Sequence, residues 1–380
     1  MRTTAAFDDG APMPPLEAYQ TEVQPTAPRR SSVFFVASKL EGQPTPERRW
    51  LVEGLIPSGT VTLLGGDGGT GKSLVALQLA ASTALSRAWL GLPVTSGRAL
   101  YISAEDDRDE LHRRLSDIAR AEGVALAGLD NLTVRSLAGE DALLATAEKS
   151  GGVLRPSSLY YEIDRRMKDE APALLVLDTL ADLFPGNEND RAQARQFVGM
   201  LRGLSIRHEC AVVMLAHPSL SGLNSGSGMS GSTGWNNSVR SRLYLERVKD
   251  DGYEADPDAR ILRTMKANYS RTGGEISLRW QGGVFVAQAP ETGLDRMAAT
   301  AKAERVFLKL LKQAQDQGRK VNHAGGQTHA PKVFATNPQA EGITKRNFGQ
   351  AMEKLLAAGK IRIAEYGPPS KRRQFLEVAE

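Results

Sequence analysis

The 380-residue sequence holds a single cysteine, Cys210, so it can build neither a disulfide framework nor a cysteine metal cluster. Cys210 opens the apolar run "CAVVMLA", where a thiol is a buried structural group. No apolar stretch approaches the roughly 20 residues that cross a bilayer, and the N-terminus lacks a basic segment followed by an apolar one. Neither a membrane partner nor export is expected; a globular cytoplasmic protein is. Extreme charge is missing too: 24% of the residues are charged and the formal net charge is +4. That balance hides an asymmetry, because residues 299–380 carry 15 Lys and Arg against 7 Asp and Glu. The basic excess therefore sits in the C-terminal part and suggests a polyanionic partner.

The length allows two or three domains. Residues 1–45 are Pro-rich and poor in apolar periodicity, broken by one apolar cluster, "VFFVAS", and read as a disordered arm. Over residues 46–290 strand-like runs alternate with helical patterns. The runs are "TVTLLG", "ALYISA", "ALLVLD" and "CAVVMLAH", followed by "SRLYLERV", "RILRTMKAN" and "EISLRW". This alternation predicts an α/β core with a mostly parallel sheet and crossover helices. A polar linker, 291–302, leads to a small basic domain, 303–380. No internal repeat is present.

Five glycines crowd Gly65 to Gly71, and Gly66 to Ser73 spells G-x-x-x-x-G-K-S between the run "TVTLLG" and a helical repeat in Leu74, Leu77 and Ala81. Strand, loop and helix in this order form a P-loop. Gly66, Gly68, Gly69, Thr70 and Gly71 let successive N–H groups converge on phosphate oxygens, with Leu74 in the first turn of the helix, whose positive dipole end adds to the attraction. Lys72 is expected on the β- and γ-phosphates of ATP, and the Ser73 hydroxyl on Mg²⁺.

Open α/β sheets bind ligands at the carboxyl ends of their strands. "PALLVLD" ends there in Asp178, the position of a Walker B aspartate that holds Mg²⁺ through water. Thr179, not glutamate, follows it, so another strand must supply the group that polarises the attacking water. Glu105, just past "ALYIS", is the candidate, with Asp106 and Asp107 as rivals. Downstream, Asp109 with Arg113 and Glu110 with Arg114 have the i,i+4 spacing of a solvated helix face.

P-loop, strand-end glutamate, Walker B aspartate and a histidine ending the next strand, in this order, resemble the RecA-type ATPases. More narrowly they resemble the hexameric replicative helicases of the plasmid RepA group and related phage ATPases, across roughly residues 46–286. The resemblance rests on "GGDGGTGKS", "YISAEDD", "LVLDTLADLFPGNENDRAQARQF", "LAHPS", "GSGMSGSTGWNNSVRSRLYL" and "KANYSRTGGEISLRW". It implies that Glu105 is the catalytic glutamate and that His217 is the sensor linking γ-phosphate state to DNA. It also implies that Arg240 is an arginine finger completing the neighbouring subunit's ATP site, with Lys266 as its basic companion; Arg242 is the rival finger. A homo-hexamer or other ring follows, with single-stranded DNA in its channel. The loops "LFPGNENDRAQARQF" and "PSLSGLNSGSGMSGSTGWNN" would project toward that DNA.

The tail reads as helix, short helix, helix and two-stranded wing, which resembles winged-helix domains. Lys345, Arg346, Lys371, Arg372 and Arg373 cluster on the third helix's start and the wing tip, so duplex DNA is the expected tail partner, with protein docking as the other use of such domains. The expected function is a DNA-dependent ATPase of the RepA helicase type. The alternatives are an ATP-switched DNA-binding regulator, helicase loader or recombination mediator, or an ATPase assembly protein that docks through its tail.

Overall fold

The structure, a computed structural model, describes residues 34–147, 152–217, 233–249, 254, 256–289, 293–368 and 372–379. The chain divides after Glu47 into two units. The described part of the first is exposed, with a single 3-10 turn at Ala37–Leu40. Its apolar cluster faces water, Phe34 being 95% exposed.

The second unit opens with an antiparallel pair, β1 (Trp50–Val52) and β2 (Ile56–Pro57). Strands and helices then alternate as β3 (Val61–Gly66), α1 (Lys72–Leu85), β4 (Ala99–Ser103), α2 (Arg108–Ala121) and β5 (Leu132–Ser136). A short pair, β6 (Ala145–Ala147) and β7 (Leu154–Pro156), precedes α3 (Ser158–Glu170) and β8 (Leu174–Asp178). After α4 (Leu180–Leu183) and α5 (Arg191–Arg207) come β9 (Ala211–Ala216), α6 (Thr233–Ser238) and β10 (Ser241–Arg247). Three further strands follow, β11 (Ala259–Ala267), β12 (Glu275–Gln281) and β13 (Val284–Ala287).

Nine of these strands form one sheet in the order β13-β12-β11-β10-β3-β9-β8-β4-β5. From β10 to β5 every pairing is parallel, as the alternation of strands and helices requires. β3, β8 and β9 are buried along their whole length, which explains why their runs are apolar apart from Thr62 in β3 and Asp178 at the end of β8: helices cover both faces. One face packs on α1 through Val75, Leu77 and Leu79, the other on α3 and α5 through Ile163, Phe197 and Leu201. Cys210 is buried, as its run implies.

Beyond β10 the pairing turns antiparallel, because the connections are too short for a crossover helix. Gly282 and Gly283, with φ of 60° and 90°, form the two-residue turn between β12 and β13, a geometry that needs positive φ at both positions.

The tail comprises α7 (Gly293–Asp316), α8 (Ala330–Ala335), α9 (Lys345–Ala357) and the hairpin β14 (Ile361–Tyr366) and β15 (Arg373–Val378). The order helix, short helix, helix, hairpin is the expected one. The segment 291–302, read as a linker, is helical from Gly293 onward and continues into α7. Phe307, Phe334 and Phe348 meet at ring centroids 4.9–6.2 Å apart and give the tail its own core.

In the ATPase part, Phe184, Phe197 and Trp235 form a second aromatic trio with centroids 5.0–6.2 Å apart. The Trp235 indole N–H donates to the Glu188 carbonyl at 2.9 Å. This trio ties α6, and with it the start of β10, to α5. Phe197→Ala should therefore lower unfolding stability by about 3–5 kcal/mol, measured by urea denaturation.

Candidate active site

The loop from Gly66 to Gly71 is shaped by contacts from outside it. A Cβ on Gly66 would collide with the Leu245 carbonyl oxygen of β10, and one on Gly71, where φ is 95°, would lie 2.5 Å from the Phe285 ring. Gly68 faces nothing within 4 Å, so no steric demand explains it. The Tyr244 hydroxyl donates to the Asp67 carboxylate at 2.7 Å, Arg247 to the Gly69 carbonyl at 3.0 Å and Arg260 to the Thr70 carbonyl at 3.1 Å. Glu254 pairs with both arginines, and the Gln78 amide clamps the Phe285 backbone N–H and C=O. No motif announces these braces, because each is a pairing between elements far apart in sequence.

Lys72 is 5% exposed. Its ammonium donates to the carbonyls of Gly66 at 2.8 Å and Asp67 at 3.0 Å, and lies 3.2 Å from His217 Nδ1. An ammonium can only donate, so Nδ1 is the acceptor and the ring proton sits on Nε2. That nitrogen lies 3.4 Å from the Glu105 carboxylate. Lys72, His217 and Glu105 thus form one chain of donors and acceptors across the ends of β3, β9 and β4.

Of the three neighbouring carboxylates, Glu105 is the one turned into this chain. Asp106 pairs with Arg114 at 2.6 Å and Asp107 caps α2 by accepting the Glu110 N–H at 2.8 Å. Glu110 pairs with both Arg113 and Arg114. The i,i+4 pair Glu110–Arg114 forms as expected and lines the cleft, while Asp109 and Arg113 are exposed and Arg113 pairs with Glu110 instead. The cleft, about 550 Å³, is also lined by Gly69 to Leu74, Thr179, Asp258, Arg260, Trp280 and Phe285.

Asp178 closes β8 with no exposed surface. The Tyr101 hydroxyl donates to its Oδ2 at 2.7 Å and lies 3.2 Å from the Ser73 carbonyl, while Oδ1 is buried with no partner. Burial pushes the Asp178 carboxyl up to about 6, against the lowering effect of the Tyr101 and Ser73 hydroxyls beside it. Burial also lowers the Lys72 ammonium below the ordinary lysine value, opposed by the Glu105, Asp178 and Asp67 charges.

Arg240, Arg242 and Lys266 gather at the other end of the sheet. The Arg240 N–H pairs with Val61 at the start of β3, and Arg242 lies opposite Lys266 on β11. Lys266 donates to the Asn236 carbonyl at 2.6 Å and Arg242 to the Asn236 side chain at 3.3 Å. Burial, with the Arg240 and Arg242 charges adding to it, lowers the Lys266 ammonium. Gly66 lies five residues along β3 from Val61, about 16 Å at strand spacing, so these cations stay out of the chain's own cleft. Arg240 precedes β10 rather than standing within it beside Arg242. The segment 218–232 of the second expected DNA loop lies outside the described residues.

A family model described as an AAA domain matches residues 24–222, just over half of the chain. The chain belongs to this AAA domain family. DNA repair protein RadA of Synechocystis is 25% identical over 185 residues, 47% of this chain and 32% of that protein. DNA repair protein RadA of Listeria monocytogenes is 25% identical over 267 residues, 69% and 48% of the two chains. The chain therefore spans less than half the length of either curated relative. Among solved structures, the RadB recombinase aligns with a TM-score of 0.44 at 14% identity, covering 62% of this chain and 93% of its own. A KaiC-like protein from Pyrococcus horikoshii aligns with a TM-score of 0.43 at 15% identity, covering 63% and 94%. No described helix is long and apolar enough to cross a membrane.

The AAA domain's core is an α/β fold with a mostly parallel sheet, its P-loop running from the end of β3 into α1. Its donor set fits a hard divalent cation: the orphaned Asp178 Oδ1 suits a cation-bound water and Ser73 lies beside it. In the free AAA domain the same buried carboxylate opposes stability. Its folded pKa lies above its unfolded value of 3.8, so the native state binds the extra proton and stability falls as pH rises from about 4 through about 6. Asp178→Asn should remove that fall. It is expected to leave metal-free stability near pH 4 unchanged and raise it by on the order of 1–3 kcal/mol at pH 7.5, read from thermal melts at the two pH values.

Proposed function

We propose that this chain is the ATP-hydrolysing subunit of a ring that moves on DNA, a motor of the RepA-type replicative helicase class. The observation that carries the reading is the chain Lys72–His217–Glu105 beside half-buried Ser73 and buried Asp178. Gly66, Gly68, Gly69, Thr70, Gly71 and Leu74 cradle the phosphates. Ser73 and Asp178 would hold Mg²⁺, which would supply charge neutralisation to the phosphates. Lys72 leaves the Gly66 and Asp67 carbonyls and His217 when phosphate oxygens offer it better acceptors. His217 is then released to answer to the γ-phosphate, while Glu105 orients the attacking water.

Arg240, with Lys266 beside it, serves the cleft of a neighbouring copy, since it stands at the far end of β3 from its own. Arg242 is the rival for that role. The segments after β8 and β9 face single-stranded DNA in the ring channel. Lys345, Arg346, Lys371, Arg372 and Arg373 take the tail to duplex backbone.

A second reading, an ATP-switched DNA-binding regulator, loader or recombination mediator without unwinding, is favoured by the basic tail and by likeness to proteins named for DNA repair. Strand displacement on forked DNA separates the two. A motor displaces the strand with ATP but not with a non-hydrolysable analogue. Lys72→Ala should lose both turnover and displacement, and Glu105→Gln should keep ATP binding while turnover collapses. DNA-stimulated turnover without displacement would favour the second reading, and near-wild-type turnover in Lys72→Ala would remove the P-loop assignment.

A further inference from the structure

The cleft has a side that phosphate chemistry does not use. Glu105, Thr179 and His217 stand at the ends of β4, β8 and β9, on one side of β3. On the other side, beyond β10, the wall is made by Pro257, Asp258, Trp280, Gly283 and Phe285. A triphosphate held in the loop with its γ end toward Glu105 and His217 presents whatever it carries to this second wall.

The wall is built to stay in place. Trp280 on β12 stands directly opposite Phe285 on β13, so the two rings project from the same face of the hairpin. That face is the P-loop face, because the Phe285 ring lies against Gly71 and its backbone is clamped by Gln78 of α1. The Trp280 backbone N–H donates to the Asp258 carbonyl at 2.8 Å. The two rings differ in exposure: Phe285 is 4% exposed and packed, whereas Trp280 is 45% exposed at the mouth of the cleft. A large flat ring left open to water beside a phosphate loop, on a hairpin anchored to that loop, is unexplained by packing.

Resting on the ATPase reading, we infer that Trp280 is the stacking platform for the nucleobase of the bound nucleotide. It is thereby a determinant of base recognition, with a purine as the best-fitting class. The indole offers the extended π-face that a purine covers more fully than a pyrimidine, and a planar ring costs little conformational entropy on binding. The platform contributes to affinity without touching the reacting phosphate.

Equilibrium binding to the full chain, with Mg²⁺ and two probes, tests this. ATP carries the base; inorganic tripolyphosphate carries only the phosphates. Trp280→Ala should weaken ATP binding roughly tenfold and leave tripolyphosphate binding unchanged, and Trp280→Phe should restore most of the loss. The preference for ATP over CTP should shrink in Trp280→Ala. Equal losses for ATP and tripolyphosphate would make Trp280 a mere support of the hairpin and overturn the inference, as would no loss for either. Failure of the wild-type chain to bind tripolyphosphate would instead remove the P-loop reading, and this one with it.

Discussion

A lysine ammonium almost entirely out of water governs the architecture of the cleft. Lys72 is held by two carbonyls of its own loop and by one imidazole nitrogen, and burying a charge is tolerated only when such partners replace its hydration. Each partner imposes a constraint elsewhere. The two carbonyls require the loop to curl back over the helix start, which places Gly71 at φ of 95° against Phe285. The imidazole must present Nδ1, which fixes the proton on Nε2 and turns it toward Glu105. A ligand that takes over Lys72 therefore reaches the end of β9 and the end of β4 in one exchange.

The ribbon of β10 and β11 gives the site a second reach. At one end it carries Tyr244, Arg247 and Arg260, which hold the loop. At the other it carries Arg242 and Lys266, with Arg240 just before it. Its cationic end, about 16 Å away, lies outside the chain's own cleft. Under the proposed function, this ribbon joins the loop to the arginine offered to a neighbouring copy.

Much of this was legible in the sequence, for identifiable reasons. β3, β4, β8 and β9 are buried along both faces, so their runs are apolar apart from Thr62 in β3, and the residues at their ends stand out as the polar ones: Ser103 and Glu105, Asp178, His217. β5 escaped because it is the edge strand; "LTVRS" is nowhere fully buried and carries an exposed Arg135. β13 escaped because four residues after two glycines carry too little pattern to read. The braces on the loop left no trace, since Tyr244, Arg247, Arg260 and Gln78 find their partners only once the strands are paired. Asp106 and Asp107 were rivals of Glu105 on spacing alone; the Arg114 pair and the α2 cap separate them.

The central claim is that a working site takes Lys72 from one copy and Arg240 from the next. Mixing Lys72→Ala protein with Arg240→Ala protein and following ATP turnover tests it directly. Each variant alone should be nearly inactive, the second by on the order of a thousandfold, because a lost trans arginine withdraws charge stabilisation from the transition state. The mixture should regain activity, since some interfaces then pair an intact loop with an intact arginine. If no mixing ratio restores turnover, and Arg242→Ala in place of Arg240→Ala restores none either, the shared site is contradicted.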